Sequence, residues 1–115
     1  MASVYDDMSL AEKDVANFLF DHDIWWNYEQ PIYVTDDKSR PRVWSPDFFL
    51  PELGVYIEVC GAERKETYLF RKKVFEINRI PVIFVHTYKG DRWKQFLLKE
   101  IKKIHENRWE IVRDL

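Results

Sequence analysis

The stretch "SPDFFLPELGVYIEVCG" at residues 45–61 constrains the fold more than any other part of the chain. Two apolar runs, FFL and GVYIEV, flank the turn residues Pro51, Glu52, Leu53 and Gly54. The pattern reads as two neighbouring strands joined by a short turn. Side chains alternate across a strand. Val55, Ile57 and Val59 therefore share one face, and Tyr56, Glu58 and Cys60 share the other. The aliphatic face goes to a core. Asp47 lies on the first strand, just after Pro46, which bends or ends its pairing. If the strands are antiparallel, Asp47 and Glu58 converge. Carboxylates inside a sheet are costly unless something pairs with them, so this strand pair raises a question of chemistry as well as of fold.

Around it the sequence alternates between helical and extended patterns. Ser9 is placed as an N-cap, with Glu12 completing a capping-box pattern and a helix predicted over Leu10–His22. "IWWNYEQPIYV" reads as a strand, or as two short pieces bent at Pro31. "TDDKSRPR" is a polar hairpin turn, and "VWSPDFFL" and "GVYIEVC" are the next strands. "AERKETYLFRKKVFEIN" is predicted helical, "IPVIFVHT" a buried strand, and "GDRWKQFLLKEIKKIHEN" an amphipathic helix. "RWEIVRDL" reads as an edge strand. Strands that meet in hairpins first and cross over through helices later imply an α/β domain with a mixed sheet flanked by helices.

The 115 residues suit one domain spanning 1–115, and 46% hydrophobic content with 17% aromatics indicates a packed globule. The longest uncharged runs fall far short of the ~18 residues of a membrane span. The N-terminus lacks the basic-then-apolar pattern of a signal peptide. Cys60 is the only cysteine, so no internal disulfide forms, and a reducing, cytoplasmic setting is expected. Net charge is −2, but residues 1–30 hold seven acids against Lys13 alone, which leaves 17 basic and 13 acidic side chains in the other 85 residues. That asymmetry permits a basic face for a polyanion, or simply a solvated surface.

Glu12 falls inside the apolar arc of its helix, near Leu19 and between Val15 and Ala16. Either it closes the capping box, or it points toward the sheet that bears Asp47 and Glu58. Carboxylates gathered in a partly buried place hold raised pKa values unless a cation sits among them. Oxygen-only ligation suits Mg²⁺ or Mn²⁺, and solvated strand-edge acids are the bland alternative. His22, His86 and His105 lack zinc spacing, and no P-loop, dinucleotide fingerprint or nucleophile elbow is present. The tryptophans fit core or interface positions.

The "PD" at 46–47, the eleven positions from Asp47 to Glu58, and "IEVCG" together resemble the PD-(D/E)XK nuclease superfamily, with its restriction-endonuclease-like fold. The helix, three antiparallel strands, helix and further strand of that fold match the predicted order over residues 9–86. The resemblance implies an αβββαβ core and a metal-dependent endonuclease acting on DNA. It implies Asp47 and Glu58 as ligands of Mg²⁺ (or Mn²⁺), the backbone carbonyl of Val59 as a further ligand, and Glu12 in support.

The lysine of that pattern would fall at Cys60. A thiol supplies no fixed positive charge. Either the site is inactive, or the lysine has moved to the next helix, where Lys72 ranks first, then Lys73, with Lys65 and Arg71 behind. Lys38, Arg40, Arg42 and the Arg64–Lys73 segment are the expected phosphate contacts. A homodimer acting on two strands is expected of so small a nuclease. The alternatives are an inactive nucleic-acid-binding module on the same fold, or a structural subunit of a larger complex.

Overall fold

The computed structural model describes residues 3–61 and 65–113, with side chains as far as Asn107. A short 3₁₀ turn over Val4–Asp7 leads into α1 (Leu10–Asp21). Then come β1 (Asn27–Tyr28), β2 (Ile32–Thr35), β3 (Pro41–Trp44), β4 (Phe48–Leu50) and β5 (Val55–Cys60). They are followed by α2 (Lys65–Ile77), β6 (Val82–His86), a 3₁₀ turn over Thr87–Lys89, and α3 (Arg92–Arg113). The fold is mixed α/β, with three α-helices and a mixed four-stranded sheet ordered β1-β4-β5-β6. The pairs β1–β4 and β4–β5 are antiparallel, and β5–β6 is parallel, joined through α2. Residues 62–64, part of the helix predicted after Gly61, lie outside the described residues.

The alternation along β5 sorts the layers as the sequence implies. Val55 and Ile57 join a core with Phe48, Leu50, Ile83 and Val85, against Val15, Ala16, Phe18 and Leu19 of α1 and Trp93 and Leu97 of α3. On the other face Phe84 meets Tyr68 and Phe75 of α2 edge-on, at ring distances of 5.1 and 5.9 Å. Glu58 pairs in register with Phe84, and Cys60 with His86, so both project on the α2 side.

Two sequence expectations are corrected. Residues 43–50 do not form one strand. The chain breaks at Ser45 and Pro46, where proline has no N–H for a ladder. As a result β3 pairs only with β2 in a separate two-stranded sheet, while β4 joins the main one. The expected terminal strand is also absent, because α3 continues to Arg113. No glycine or proline follows Gly90, so nothing stops the helix. Its stripe of Trp93, Leu97, Ile101 and Ile104 packs along the core and supports its propagation. Asp114 and Leu115 lie outside the described residues. The segment 24–34 does divide in two, at Glu29 (φ 52°) and Pro31.

The β2–β3 hairpin is tied to α2 rather than to the main sheet. Asn78, just past α2, uses its side-chain amide as a strand edge. Its Oδ1 accepts from the Thr35 N–H at 2.9 Å, and its Nδ2 donates to the Thr35 carbonyl at 2.8 Å. Trp44 of β3 packs on Phe70 and Phe75 of α2 at 6.2 and 5.6 Å. The hairpin is thus anchored on α2, and Ser45 and Pro46 carry the chain from it into β4.

Candidate active site

Asp47 is the last residue before β4, and the register Phe48↔Ile57 sets it opposite Glu58. Each carboxylate accepts from a main-chain N–H of the facing strand, in place of a ladder rung. The Asp47 N–H donates to Glu58 Oε1 at 3.0 Å, and the Val59 N–H donates to Asp47 Oδ2 at 2.7 Å. The main chain at Asp47 is held as well, since its carbonyl accepts from the Glu29 N–H at 3.0 Å. In an extended strand the N–H and C=O of one residue face the same edge. The Val59 carbonyl therefore faces the same edge of β5 as Asp47.

Burial, then the charge of Glu58, push the Asp47 carboxyl up to about 7, with Glu12 adding to the shift, while the Val59 N–H and Arg71 oppose it. Glu58 is itself buried, at 6% exposure. Its Oε2 accepts from the Arg71 guanidinium, and the other arm of that guanidinium lies 3.7 Å from the Cys60 thiol. A cleft of about 300 Å³ opens on this group, lined by Val43, Trp44, Ser45, Pro46, Glu58 and Arg71.

Glu12 takes one half of its expected capping role. The Ser9 hydroxyl accepts from the Glu12 N–H at 3.1 Å. The Glu12 carboxylate turns instead to the sheet, where the Tyr28 hydroxyl donates to it at 2.6 Å. Burial first, and the Glu12 bond next, raise the Tyr28 pKa, so the phenol remains a donor.

The structure thus brings Asp47, Glu58 and the Val59 backbone together, with Glu12 near enough to act on Asp47. It does not bring in the lysines favoured from sequence. Lys72 is exposed on α2, and Lys73 extends to Asp37 of the hairpin turn at 3.9 Å. The cation that α2 turns into the site is Arg71, with a side chain 22% exposed. Spacing alone did not single it out, because Arg71 and Lys72 both lie three or four residues from Tyr68 and Phe75, which pack on the sheet.

Compared with protein-family models, curated proteins and solved structures, the chain finds no match. Among the described residues, no group of three or more acidic, histidine or cysteine side chains is assembled to hold a metal ion, and no helix is long and apolar enough to cross a membrane. The Asp47–Glu58 pair is nevertheless a hard-oxygen donor set of the kind Mg²⁺ uses, since that ion takes one or two carboxylates and fills its shell with waters and phosphate oxygens. The raised Asp47 pKa is the electrostatic counterpart of that fit, because a cation would offset the burial, and then the Glu58 charge, that raise it.

A pH dependence follows without metal. The folded Asp47 keeps its proton up to about pH 7, whereas an unfolded aspartate loses it near ~3.9. Between these values the folded state binds more protons, so stability falls as pH rises and the full cost stands above pH 7. In chelator, the melting temperature is expected to drop by ~5 °C or more between acidic and mildly alkaline buffer. Asp47→Asn should flatten that slope. A parent and a variant with parallel pH profiles would show that Asp47 titrates normally.

Proposed function

We propose that the protein is a metal-dependent endonuclease that hydrolyses phosphodiester bonds in DNA, on a restriction-endonuclease-like core. The observation that carries this reading is the Asp47–Glu58 pair. Two carboxylates are held across antiparallel strands, each by a main-chain N–H of the facing strand, one with a raised pKa and the other, Glu58, lining a cleft. Asp47, Glu58 and the Val59 carbonyl would hold Mg²⁺ or Mn²⁺. When bound there, such an ion supplies an acidified water and a positive charge against a phosphate oxygen. Arg71 takes the part expected of the lysine. Its guanidinium reaches the Cys60 position from α2, where it would neutralise charge on a phosphate. The test is nicking of supercoiled plasmid with Mg²⁺ or Mn²⁺, together with the melting-temperature rise that linkage requires of a bound ion.

A second reading has its own observation. Arg71 already neutralises Glu58, as it would in an inactive nucleic-acid-binding module that has dispensed with metal. That module would bind DNA with steep salt dependence, show no cleavage, and gain no thermal stability from Mn²⁺.

Glu12 separates a supporting role from a structural one. Glu12→Gln keeps an oxygen for the Tyr28 hydroxyl and removes the charge that acts on Asp47. The expected result is a ~10-fold loss of metal affinity or rate with little change in melting temperature. Lost stability with unchanged metal affinity would mean that Glu12 serves only α1 and β1.

A further inference from the structure

The tip of the β2–β3 hairpin contains a buried charge that the candidate active site does not use. Asp36 is 2% exposed. Its Oδ1 accepts from the Lys38 and Arg40 N–H groups, both at 2.9 Å, which closes the turn. Its Oδ2 accepts from Arg40 Nε at 3.0 Å and Arg42 Nε at 3.1 Å. Closing a turn requires only the first pair of bonds. The second pair gathers two guanidinium groups on one carboxylate oxygen. Each is held by its Nε, which leaves the terminal nitrogens outward, on side chains 55% and 49% exposed. Asp36 offsets one of the two charges. Asp37 stands beside Lys73, and Lys38 keeps the tip positive.

The hairpin that carries this paired fork is anchored. Asn78 and Trp44 fix the hairpin to α2. Val43 and Trp44, the next residues after Arg42, line the same cleft as Glu58 and Arg71. A two-stranded ribbon that carries two pre-set guanidinium forks complements a nucleic-acid backbone. Guanidinium forks match phosphate oxygens, and little ordering entropy remains to be lost on binding.

We propose that the β2–β3 hairpin is a phosphate clamp for duplex DNA, in which Arg40 and Arg42, pinned together by Asp36, grip the backbone beside the Glu58–Arg71 cleft. The proposal rests on the nuclease reading for its choice of DNA, and its test is independent of cleavage. Binding of a short fluorescein-labelled duplex is followed by anisotropy in EDTA over a salt series. Arg40→Ala and Arg42→Ala should each weaken binding ~5–10-fold, with the log–log salt slope shallower by about 1 for each. The double change Arg40→Lys with Arg42→Lys keeps the charge and loses the fork, so the slope should hold while affinity falls. Because Lys preserves the ion pairing to Asp36, this variant also guards against a folding defect, checked by its melting temperature. Alanine variants with the parent's affinity and slope would overturn the clamp, as would tighter arginine-dependent binding of single-stranded RNA than of duplex DNA. Plasmid nicking separates the two ideas. Nicking by a parent whose arginine variants bind normally removes the clamp and leaves the nuclease. Arginine-dependent duplex binding without nicking keeps the clamp and removes the nuclease.

Discussion

Asp47→Asn and Glu58→Gln are each expected to abolish Mg²⁺-dependent nicking of plasmid DNA, with a loss of at least ~10²–10³-fold. Loss of an outer partner alone costs ~10–100-fold in metal affinity or activity, and a direct ligand should cost more. The two variants should part company in stability. In Asp47→Asn the side-chain oxygen still accepts from the Val59 N–H, and the repulsion with Glu58 disappears, so metal-free stability at neutral pH should stay level or rise. In Glu58→Gln the same repulsion is relieved, but Arg71 loses the carboxylate it donates to. The ion pair becomes a hydrogen bond from a charged donor to a neutral acceptor, and stability should fall modestly. Nicking rates, binding heats for Mn²⁺ and melting curves on the purified variants check all three statements. Parent-like nicking in either variant would remove the metal site from the mechanism.

The convergence of these two acids was legible because it needs only local geometry. A short turn, two apolar runs and the alternation of side chains place Asp47 opposite Glu58, and the register agrees. The layering of β5 was legible for the same reason. Two kinds of fact were not. The first is where a strand stops being one strand. Residues 43–50 have strand composition throughout, and only the geometry around Pro46 sends β3 to one sheet and β4 to another. The second is which of several adjacent cations turns inward. Arg71, Lys72 and Lys73 differ by about 100° each around the helix axis. The rotation of α2 is set by how Tyr68, Val74 and Phe75 seat on the sheet, not by the cations themselves. A capping box on paper likewise left open whether Glu12 would close it. A hydroxyl sixteen residues away, on Tyr28, competes for the carboxylate. Asp36 announced a turn in "TDDKSR". Its capture of two arginines depends on the hairpin register that turn sets up.

Arg71→Ala should produce two separable losses. The first is in stability. Glu58 is buried and its counter-ion is mostly so, with side chains 8% and 22% exposed. Removing one partner of such a pair strands a buried charge, at a cost of about 3 kcal/mol. Adding Glu58→Gln should restore much of that stability, giving a coupling energy in the double-mutant cycle. The second loss is in rate. If Arg71 meets charge on the phosphate, nicking should fall ~10²–10³-fold at saturating Mg²⁺, as for other single positioned donors. Arg71→Lys should retain part of it, because the charge survives while the two-armed reach to Glu58 and Cys60 does not. Lys72→Ala, changing an exposed residue, should leave the rate near that of the parent, and Cys60→Ala should be nearly silent. Cys60→Lys in the Arg71→Ala background should recover some activity, since Arg71 lies against that strand position. The opposite pattern is equally readable. If Arg71→Ala binds Mn²⁺ more tightly and nicks at the parent rate, Arg71 only holds Glu58 neutral until the metal arrives, and the phosphate charge is met elsewhere. If Lys72→Ala is then the slow variant, α2 delivers its lysine from the solvent face once DNA is bound.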